Sequence, residues 1–284
     1  MFVVMGVTGN VGGAAAKALL GSGAQVRAIV RDAKKGAEWK QRGAEIAVAD
    51  LYDAASLTKA FTGVEGVFVV IPPVFDPAAD FAEARAAARS LVQALEAAKP
   101  GKVVYLSTIG AQARETNLLS QHTLIESELR ELELPIAFLR PGWFLENAQW
   151  DVASAREEGV ILSFLAPVEK AIPMVATEDI GRVAAELLQR AWDGKRIVEL
   201  EGPERVSPAM IARTFAELLA RPVRVEIVAR DGWETAFRGQ GMENPQLRMR
   251  MLDGFNEGWI CFADEATVRR GMVTLREVIA KLIV

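Results

Sequence analysis

The stretch MFVVMGVTGNVGGA, residues 1–14, decides the fold of this 284-residue chain. Its apolar residues 2–5 run into a glycine-rich turn, and an alanine-rich helical pattern follows the turn. This order predicts a buried strand, a tight turn and a helix N-terminus, where backbone N–H groups can approach an anion closely. Glycines also form ordinary turns. Between a strand and a helix at the head of a βαβ unit, however, they indicate a dinucleotide-binding site.

Short apolar segments alternate with helical patterns through the first half of the chain. The predicted strands are 2–5, 25–30, 44–48, 67–71 and 102–107, and the predicted helices are 11–20, 34–42, 53–61 and 77–99. Pro72 and Pro73 should end the fourth strand, because proline supplies no donor to the ladder. The alternation predicts an α/β fold with a doubly wound parallel (Rossmann) sheet.

The second half is less regular. Its predicted helices are 118–133, 146–157, 177–190, 208–219 and 275–282, and its predicted extended segments are 136–140, 161–164, 197–200 and 223–228. Thr177 is expected to cap its helix. The aromatic and methionine residues of 231–262 could line an apolar pocket, although a small core is the simpler interpretation.

These patterns predict two closely joined parts. A dinucleotide-binding domain should cover residues 1–145, completed by strands and helices from about 172–200. A smaller substrate-binding region should cover residues 146–284 and share one interface with the first part.

Composition excludes several classes of protein. A net charge of −4 without basic clusters argues against direct contact with nucleic acid. A single cysteine, Cys261, rules out an intramolecular disulfide and fits a reducing, cytoplasmic environment. No basic leader precedes the first strand, and no apolar run reaches the roughly 18 residues of a membrane span. One histidine and one cysteine make a zinc site improbable, so we expect no metal.

The end of the second predicted strand indicates which nucleotide is bound. Arg31 lies 19 positions after Gly12, where an NAD-selective protein carries an acidic residue. A guanidinium there can grip a 2′-phosphate with two hydrogen bonds, so NADP(H) is predicted over NAD(H). Asp32 is the objection, but it falls where it would cap the next helix. Asp50 could reach the adenine amine or cap a helix, and both interpretations stay open.

A series of short motifs extends the pattern along nearly the whole chain. In order, they are Gly6-x-x-Gly9-x-x-Gly12, residues 26–32 (VRAIVRD), Ala49-Asp50-Leu51, Gly66-Val67-Phe68, Ser107-Thr108, Leu139-Arg140-Pro141-Gly142, Glu146-Asn147 and Asp179-Ile180-Gly181. Together the sequence resembles the NmrA-like branch of the atypical short-chain dehydrogenases. The resemblance implies a relative of NADPH-dependent quinone reductases, triphenylmethane-dye reductases and azo-dye reductases, or of NADP-binding regulators.

The resemblance also implies a role for individual residues. Gly6, Thr8, Gly9, Asn10, Val11 and Gly12 would hold the pyrophosphate, Arg31 and Lys35 the 2′-phosphate, and Asp50 and Leu51 the adenine. Ile71, Pro72, Pro73 and Val74 would pass beside the second ribose, and Pro141, Gly142, Trp143 and Phe144 would border the nicotinamide, with Asn147 nearby. Trp143, Phe144 and Asn147 would then face the substrate.

The Tyr-x-x-x-Lys pair of the wider dehydrogenase superfamily is missing. Neither Tyr52 nor Tyr105 is followed by a lysine four residues later. By the resemblance, the lysine position falls on His122 and the tyrosine position on Leu118. His122 would hold the nicotinamide ribose or pass protons as a catalytic residue; the plainer interpretation is a partly exposed helix residue. For Ser107, a hydrogen bond at the strand end is favoured over substrate contact.

The missing pair constrains the chemistry. Reduction of an isolated ketone leaves a strongly basic alkoxide that needs a positioned acid. Reduction of a quinone leaves a hydroquinone anion comparable to a tyrosine phenolate, with a pKa of about 10 for the conjugate acid. The sequence therefore predicts hydride transfer to a quinone or another conjugated, electron-poor acceptor. Trp143, Phe144 and Trp150 are candidate stacking walls, although core packing explains them nearly as well.

A second function remains open. The chain could be a non-catalytic NADP(H)-sensing protein that acts through a protein partner, because such regulators also lack the pair. A homodimer is compatible with the sequence as well.

Overall fold

The computed structural model describes residues 1–284 and contains one large parallel sheet. The strands are β1 (Phe2–Val4), β2 (Val26–Val30), β3 (Glu45–Val48), β4 (Gly66–Val69), β5 (Val103–Leu106), β6 (Ile136–Pro141), β7 (Trp143–Phe144), β8 (Val160–Ser163), β9 (Met174–Val175), β10 (Lys195–Glu201), β11 (Arg224–Ile227) and β12 (Arg269–Arg270). The eight strands of the large sheet follow the order β12-β10-β6-β5-β4-β1-β2-β3, and every pair is parallel. The predicted doubly wound sheet is confirmed.

Helices cover both faces of this sheet. They are α1 (Asn10–Gly21), α2 (Ala37–Gln41), α3 (Ala54–Phe61), α4 (Ala82–Ala98), α5 (Ser120–Arg130), α6 (Val152–Glu157), α7 (Thr177–Gln189), α8 (Pro208–Leu219), α9 (Trp233–Gly239), α10 (Gln246–Glu257) and α11 (Leu275–Leu282). One apolar core joins the sheet to α1 and α7, and another joins it to α3, α4 and α5. Strands covered on both faces are expected to be continuous apolar runs, as β1 and β4 are.

The packing of α1 on α7 depends on a glycine from one of the sequence motifs. A Cβ at Gly181 would lie 2.5 Å from the Cβ of Ala14 on α1. The two helix backbones therefore approach closely, which holds α1 and its preceding glycine turn firmly against the sheet. The motif around Gly181 thus has a structural explanation.

A third core lies in the C-terminal part of the chain. Trp233, Phe237, Met249, Met251 and Phe255 are all buried in it. The aromatic and methionine residues of 231–262 thus form an ordinary core, as the simpler interpretation predicted. Two small sheets, β8 with β11 and β7 with β9, accompany this core.

Several element boundaries differ from the predictions. The predicted helix 77–99 begins at Ala82, because Asp76 accepts hydrogen bonds from the backbone of Glu243 and Asn244 and holds the preceding segment in an irregular path. The predicted helices 34–42 and 146–157 both begin as 3₁₀ turns, at Ala33–Gly36 and Leu145–Asp151. The fourth strand ends at Val69, before Pro72 and Pro73.

The predicted cap of α7 was wrong. Thr177 is the first helical residue, and its own side chain does not cap the helix. The Glu146 carboxylate accepts from the Thr177 backbone N–H, at 2.9 and 3.0 Å from its two oxygens, and from the Thr177 hydroxyl at 2.5 Å. A carboxylate suits this place because it also faces the positive end of the helix dipole.

Two further observations bear on the classes of protein considered. None of the helices combines the length and the apolar character needed to cross a membrane. No cluster of three or more His, Cys, Asp or Glu side chains could hold a metal ion.

Candidate functional site

The sheet order places a crevice between β1 and β4. From β1 the chain continues outward through β2 and β3, whereas from β4 it continues the other way through β5 and β6. Connections that lead away in opposite directions leave space at the carboxyl ends of the strands, and open α/β sheets bind their ligands there. The segments that follow β1, β4, β5 and β6 all meet at this edge.

The glycine turn after β1 has the geometry of an anion site. Gly6 has a φ of +65°, and a Cβ on Gly12 would lie only 2.3 Å from the carbonyl oxygen of Gly6. Gly9 precedes α1, where no side chain caps the helix and no acidic residue occupies the first turn. Thr8, Gly9 and Asn10 are exposed, while Val11 is buried in the core. The free N–H groups of this helix start fit a pyrophosphate.

Three cations follow β2 and have no ion-pair partner. Arg31, Lys34 and Lys35 are exposed and take part in no salt bridge. The Asp32 carboxylate accepts from the backbone N–H of Lys34 at 2.9 Å, so it caps the short 3₁₀ turn as predicted. The cations stand next to β1 and would suit the 2′-phosphate of NADP(H).

The interpretation of Asp50 as a helix cap was wrong. Asp53 caps α3 by accepting from Ala55 and Ser56, whereas Asp50 accepts from the backbone N–H of Tyr52 at 2.8 Å. Asp50 itself is exposed beyond β3, and its contact with adenine stays a prediction. Leu51 is predicted to flank the adenine and is 9% exposed at the edge of the core.

A hydrogen bond joins the segment after β4 to α5. Gln121 in the first turn of α5 donates to the carbonyl oxygen of Val74 at 3.0 Å. Pro72 and Pro73 are exposed beside it, and Ile71 is half-buried. This arrangement brings the residues predicted to pass beside the second ribose close to the start of α5.

The segment after β6 is held tightly by its neighbours. Pro141 and Gly142 are buried, and a Cβ on Gly142 would lie 2.6 Å from the carbonyl oxygen of Pro173. Trp143 and Phe144 are half-buried in β7, and the Trp143 ring meets the Phe255 ring edge-on at 5.2 Å. Core packing therefore accounts for much of both side chains. The side chain of Asn147 forms no hydrogen bond within the protein.

A buried ion pair links β5, β6 and α5. Arg140 donates to both oxygens of Glu126, at 2.8 and 2.6 Å, and Arg130 adds a third bond at 3.0 Å. The Ser107 hydroxyl donates to Glu126 at 2.5 Å, which supports the structural interpretation of Ser107. Burial opposes the charge of Glu126, but these bonds outweigh it and lower the pKa of the carboxyl group.

The position of His122 reveals a contact that the sequence did not. Its Nδ1 lies 2.8 Å from the hydroxyl of Tyr105, which is fully buried in β5. Burial lowers the pKa of His122 to about 4, although the Glu126 charge acts in the opposite direction. The ring is therefore neutral at pH 7, which disfavours the proposed transfer of protons near neutral pH. Leu118, at the position of the missing tyrosine, is buried.

The signal for this contact was present but needed the fold. Tyr105 and Ser107 are two residues apart in the predicted strand 102–107, so they are expected to share a face, and His122 and Glu126 are four apart in the predicted helix 118–133. Two matching pairs of polar residues on neighbouring elements suggest a polar interface between β5 and α5.

Two exposed aromatic rings are in edge-on contact at the rim of the crevice. Phe75, from the segment after β4, is 48% exposed, and Trp150, from the segment after β6, is 57% exposed. Their ring centroids are 6.4 Å apart and the rings meet edge-on. Trp150 was a candidate stacking wall from the sequence, whereas Phe75 was missed because nothing in its immediate sequence sets it apart.

Comparison with known proteins identifies the family. The model of the NmrA-like family matches residues 1–243. An NAD(P)H azoreductase from Xenophilus azovorans is 30% identical over 90% of this chain and 85% of its own. The quinone oxidoreductase QOR2 of Escherichia coli, solved with NADPH, superposes with a TM-score of 0.83 at 23% identity over 99% of both chains. Triphenylmethane reductase from Citrobacter sp. gives 0.82 at 20% identity, also over 99% of both.

These matches confirm the predicted family and fold, and they support the predicted class of enzyme, an oxidoreductase with a nicotinamide cofactor. The chain belongs to the NmrA-like family.

Proposed function

We propose that this protein is an NADPH-dependent reductase that transfers hydride to a flat, conjugated acceptor such as a quinone, an azo dye or a cationic dye. The acceptor class rests on one observation above all: two exposed aromatic rings, Phe75 and Trp150, flank the crevice from opposite segments. Large exposed aromatic side chains at a cleft offer stacking surface to a flat ligand. The reductase and dye-reductase names of the relatives agree with this choice.

The choice of NADPH rests on charge. Arg31, Lys34 and Lys35 have no acidic partner, and the nearby Asp32 carboxylate is engaged by the backbone of Lys34. A 2′-phosphate would supply the missing anion, and the uncapped N-terminus of α1 would bind the pyrophosphate.

Catalysis would consist mainly of positioning. Bound NADPH supplies the hydride, and the buried Pro141 and Gly142 give the nicotinamide end of the crevice a rigid wall. No tyrosine acid stands at the position of the buried Leu118, and His122 is neutral at pH 7. Acceptors whose reduced form needs no strong acid fit such a site, because water can protonate a hydroquinone anion with a pKa of about 10.

The direct test follows NADPH oxidation by absorbance with three acceptors: a simple quinone, a cationic triphenylmethane dye and an unactivated ketone. We expect turnover with the quinone and the dye and none with the ketone. Turnover of the ketone would contradict the proposal that the site reduces only acceptors whose reduced form needs no positioned acid. Tight NADPH binding without turnover of any acceptor would favour the alternative, a nucleotide-sensing protein that acts through a protein partner.

Two variants test the acceptor site. Phe75→Ala and Trp150→Ala should each raise the KM for the dye roughly fivefold, because each loses a stacking surface worth about 1 kcal/mol, while the KM for NADPH stays the same. Leu162→Ala is the matched control, since Leu162 is also 57% exposed but lies in the separate sheet of β8 and β11. Equal effects in all three variants would contradict the proposed acceptor site.

Location and assembly remain proposals. The single cysteine, Cys261, suits a reducing cytoplasm. All residues of the proposed site belong to one chain, so the proposed reaction does not depend on whether the protein is a monomer or a homodimer.

A further inference from the structure

The hydroxyl of Tyr105 has one partner in the protein. Tyr105 is 0% exposed in β5, and its oxygen lies 2.8 Å from Nδ1 of His122. Burial, followed by the negative charge of Glu126, raises the pKa of the Tyr105 phenol well above its usual value, so the phenol keeps its proton. That buried proton needs an acceptor, and only the Nδ1 atom is in reach.

Because the phenolic proton requires an acceptor, the direction of the hydrogen bond between Tyr105 and His122 is determined. If Nδ1–H donated to the phenol, the phenolic proton would be buried without an acceptor. A buried donor without an acceptor lowers the stability of the folded protein. If the phenol donates, both groups are satisfied, and the single proton of the neutral imidazole lies on Nε2.

His122 stands at the crevice. The residues on either side of it bind the segments that follow β4 and β5: Gln121 donates to Val74, and the Thr123 hydroxyl donates to the carbonyl oxygen of Ala111 at 2.8 Å. His122 is half-buried, and its Nε2 atom has no hydrogen-bond partner in the protein and is not fully buried. It is therefore open to a ligand in the crevice.

We infer that Tyr105 is a positioning residue: its hydroxyl donates to Nδ1 of His122 and so fixes His122 in the neutral tautomer that carries its proton on Nε2. The Nε2–H group is then an uncharged hydrogen-bond donor directed at a ligand oxygen. The expected effect of Tyr105 on turnover rests on the proposed reductase function, whereas the tautomer of His122 does not. The oxygen belongs to either a ribose hydroxyl of the cofactor or a carbonyl of the acceptor.

The surroundings keep this donor neutral. The titratable and charged groups that face His122 are Tyr105 on β5 and Glu126 on α5. The Glu126 charge is balanced by Arg140 on β6 and by Arg130. His122 therefore offers the same hydrogen bond across the neutral range of pH, without adding positive charge beside the nicotinamide.

The chain contains one histidine, so nuclear magnetic resonance can observe this ring without overlap. The full-length protein, untagged and labelled with ¹⁵N-histidine, should show Nδ1 as the unprotonated nitrogen and Nε2 as the protonated one, unchanged from pH 8 to pH 5. The opposite tautomer, an averaged pair of signals, or a titration centred near pH 6.5 would overturn the inference.

Tyr105→Phe removes the hydroxyl and keeps the ring. We expect mixed tautomers, a higher pKa for His122, and a kcat with NADPH and quinone that falls roughly five- to tenfold, the share expected for one neutral hydrogen bond, with little change in KM. Tyr52→Phe is the control, because Tyr52 is 56% exposed and its hydroxyl forms no hydrogen bond in the protein. A single fixed tautomer in Tyr105→Phe would contradict the positioning role.

Addition of ligands identifies the bound oxygen. A shift of the Nε2–H signal on adding NADP⁺ would assign it to the cofactor, and a shift only on adding a quinone to that complex would assign it to the acceptor. No shift with either would overturn the ligand part of the inference. The tautomer needs no turnover to be read, so failure of the proposed reductase activity and failure of the positioning role are separate results.

Discussion

The charged side chains at the two ends of the crevice differ in exposure and in pairing. Beyond β2, the cations Arg31, Lys34 and Lys35 are exposed and unpaired. Beside β5 and β6, the charges of Glu126 and Arg140 are buried and bound to each other. The first end has charge available for an incoming anion, whereas the second has none to offer.

This difference separates binding from positioning. Exposed cations remain hydrated, and a phosphate can engage them with charge-assisted hydrogen bonds. A buried ion pair contributes little attraction to a ligand, because its charges cancel and its donors are occupied, but it fixes β5, β6 and α5 in one arrangement. We therefore expect mutations at the second end to affect stability first, and mutations at the first end to affect cofactor affinity first.

The largest effect is expected at the buried pair. Glu126→Gln leaves Arg140 buried without a counter-charge, and we expect the free energy of unfolding to fall by about 3–5 kcal/mol. Glu45→Gln is the control, because Glu45 pairs with Arg27 at 2.7 Å but is 49% exposed. This change should cost less than about 1 kcal/mol. Urea unfolding measures both, and a similar cost for the two variants would remove the contrast between the ends.

The glycine turn tests whether close packing shapes the cofactor end. Gly12→Ala would place a methyl group 2.3 Å from the Gly6 carbonyl oxygen. We expect it to lower stability by about 3 kcal/mol and to abolish measurable NADPH binding. Gly9→Ala is the matched change, since its Cβ would lie at an ordinary 3.5 Å and its φ is −101°. Calorimetric titration with NADPH should separate the two, and equal binding would refute the close-packed turn.

Arg31 tests the charge of the cofactor end. Arg31→Ala should weaken NADPH binding about 10- to 100-fold, the equivalent of roughly 1.5–3 kcal/mol for hydrogen bonds to a charged group. NADH binding should change less than about twofold, because NADH lacks the 2′-phosphate. Arg42→Ala, which removes an exposed cation already paired with Glu38 at 2.8 Å, should leave both affinities unchanged. Equal losses for NADPH and NADH would contradict the assignment of Arg31.

The smallest effect concerns the pH dependence of stability that arises from His122. The pKa of His122 is about 4 in the folded protein, against 6.5 for an ordinary histidine. Between these values the unfolded chain holds a proton that the folded chain does not, so stability falls as the pH falls. From pH 7 to pH 5 this group should cost about 2 kcal/mol.

A variant isolates this contribution. Burial raises the pKa of Asp151 to about 6, which acts in the opposite direction, since the folded chain then holds the extra proton. The wild-type curve is therefore a sum of opposing effects, and the difference between wild type and His122→Gln is the quantity to measure. Parallel stability curves for the two proteins from pH 7 to pH 5 would show that the folded protein does not lower the pKa of His122.

The sequence predicted the parts of the site that depend on local order. The glycine turn after β1, the cations after β2 and the Asp32 cap are each set by residues within about one turn of one another, and the structure has the turn, the exposed cations and the cap at these places. The late start of α4 and the cap of α7 were not predictable in the same way. They depend on Asp76 meeting the backbone at 243–244 and on Glu146 meeting Thr177, residues far apart in the chain.

The same limit applies beside β5 and β6. The spacing of polar residues suggests an interface between β5 and α5, but only the packed structure shows that the Tyr105 hydroxyl meets His122. Nothing near Phe75 in the sequence indicates that its ring meets Trp150. Both contacts join residues on different elements. They exist only when the sheet aligns the ends of its strands.

By itself, then, the sequence determined the alternating α/β pattern, the glycine turn and the family, because strand and helix periods and glycine turns are properties of neighbouring residues. Only the tertiary structure decided that Glu126 neutralises Arg140, that His122 is held by Tyr105, and that two aromatic rings border the crevice. Burial and distance set the charge and the hydrogen-bonding state of a side chain, and both arise when distant segments pack together.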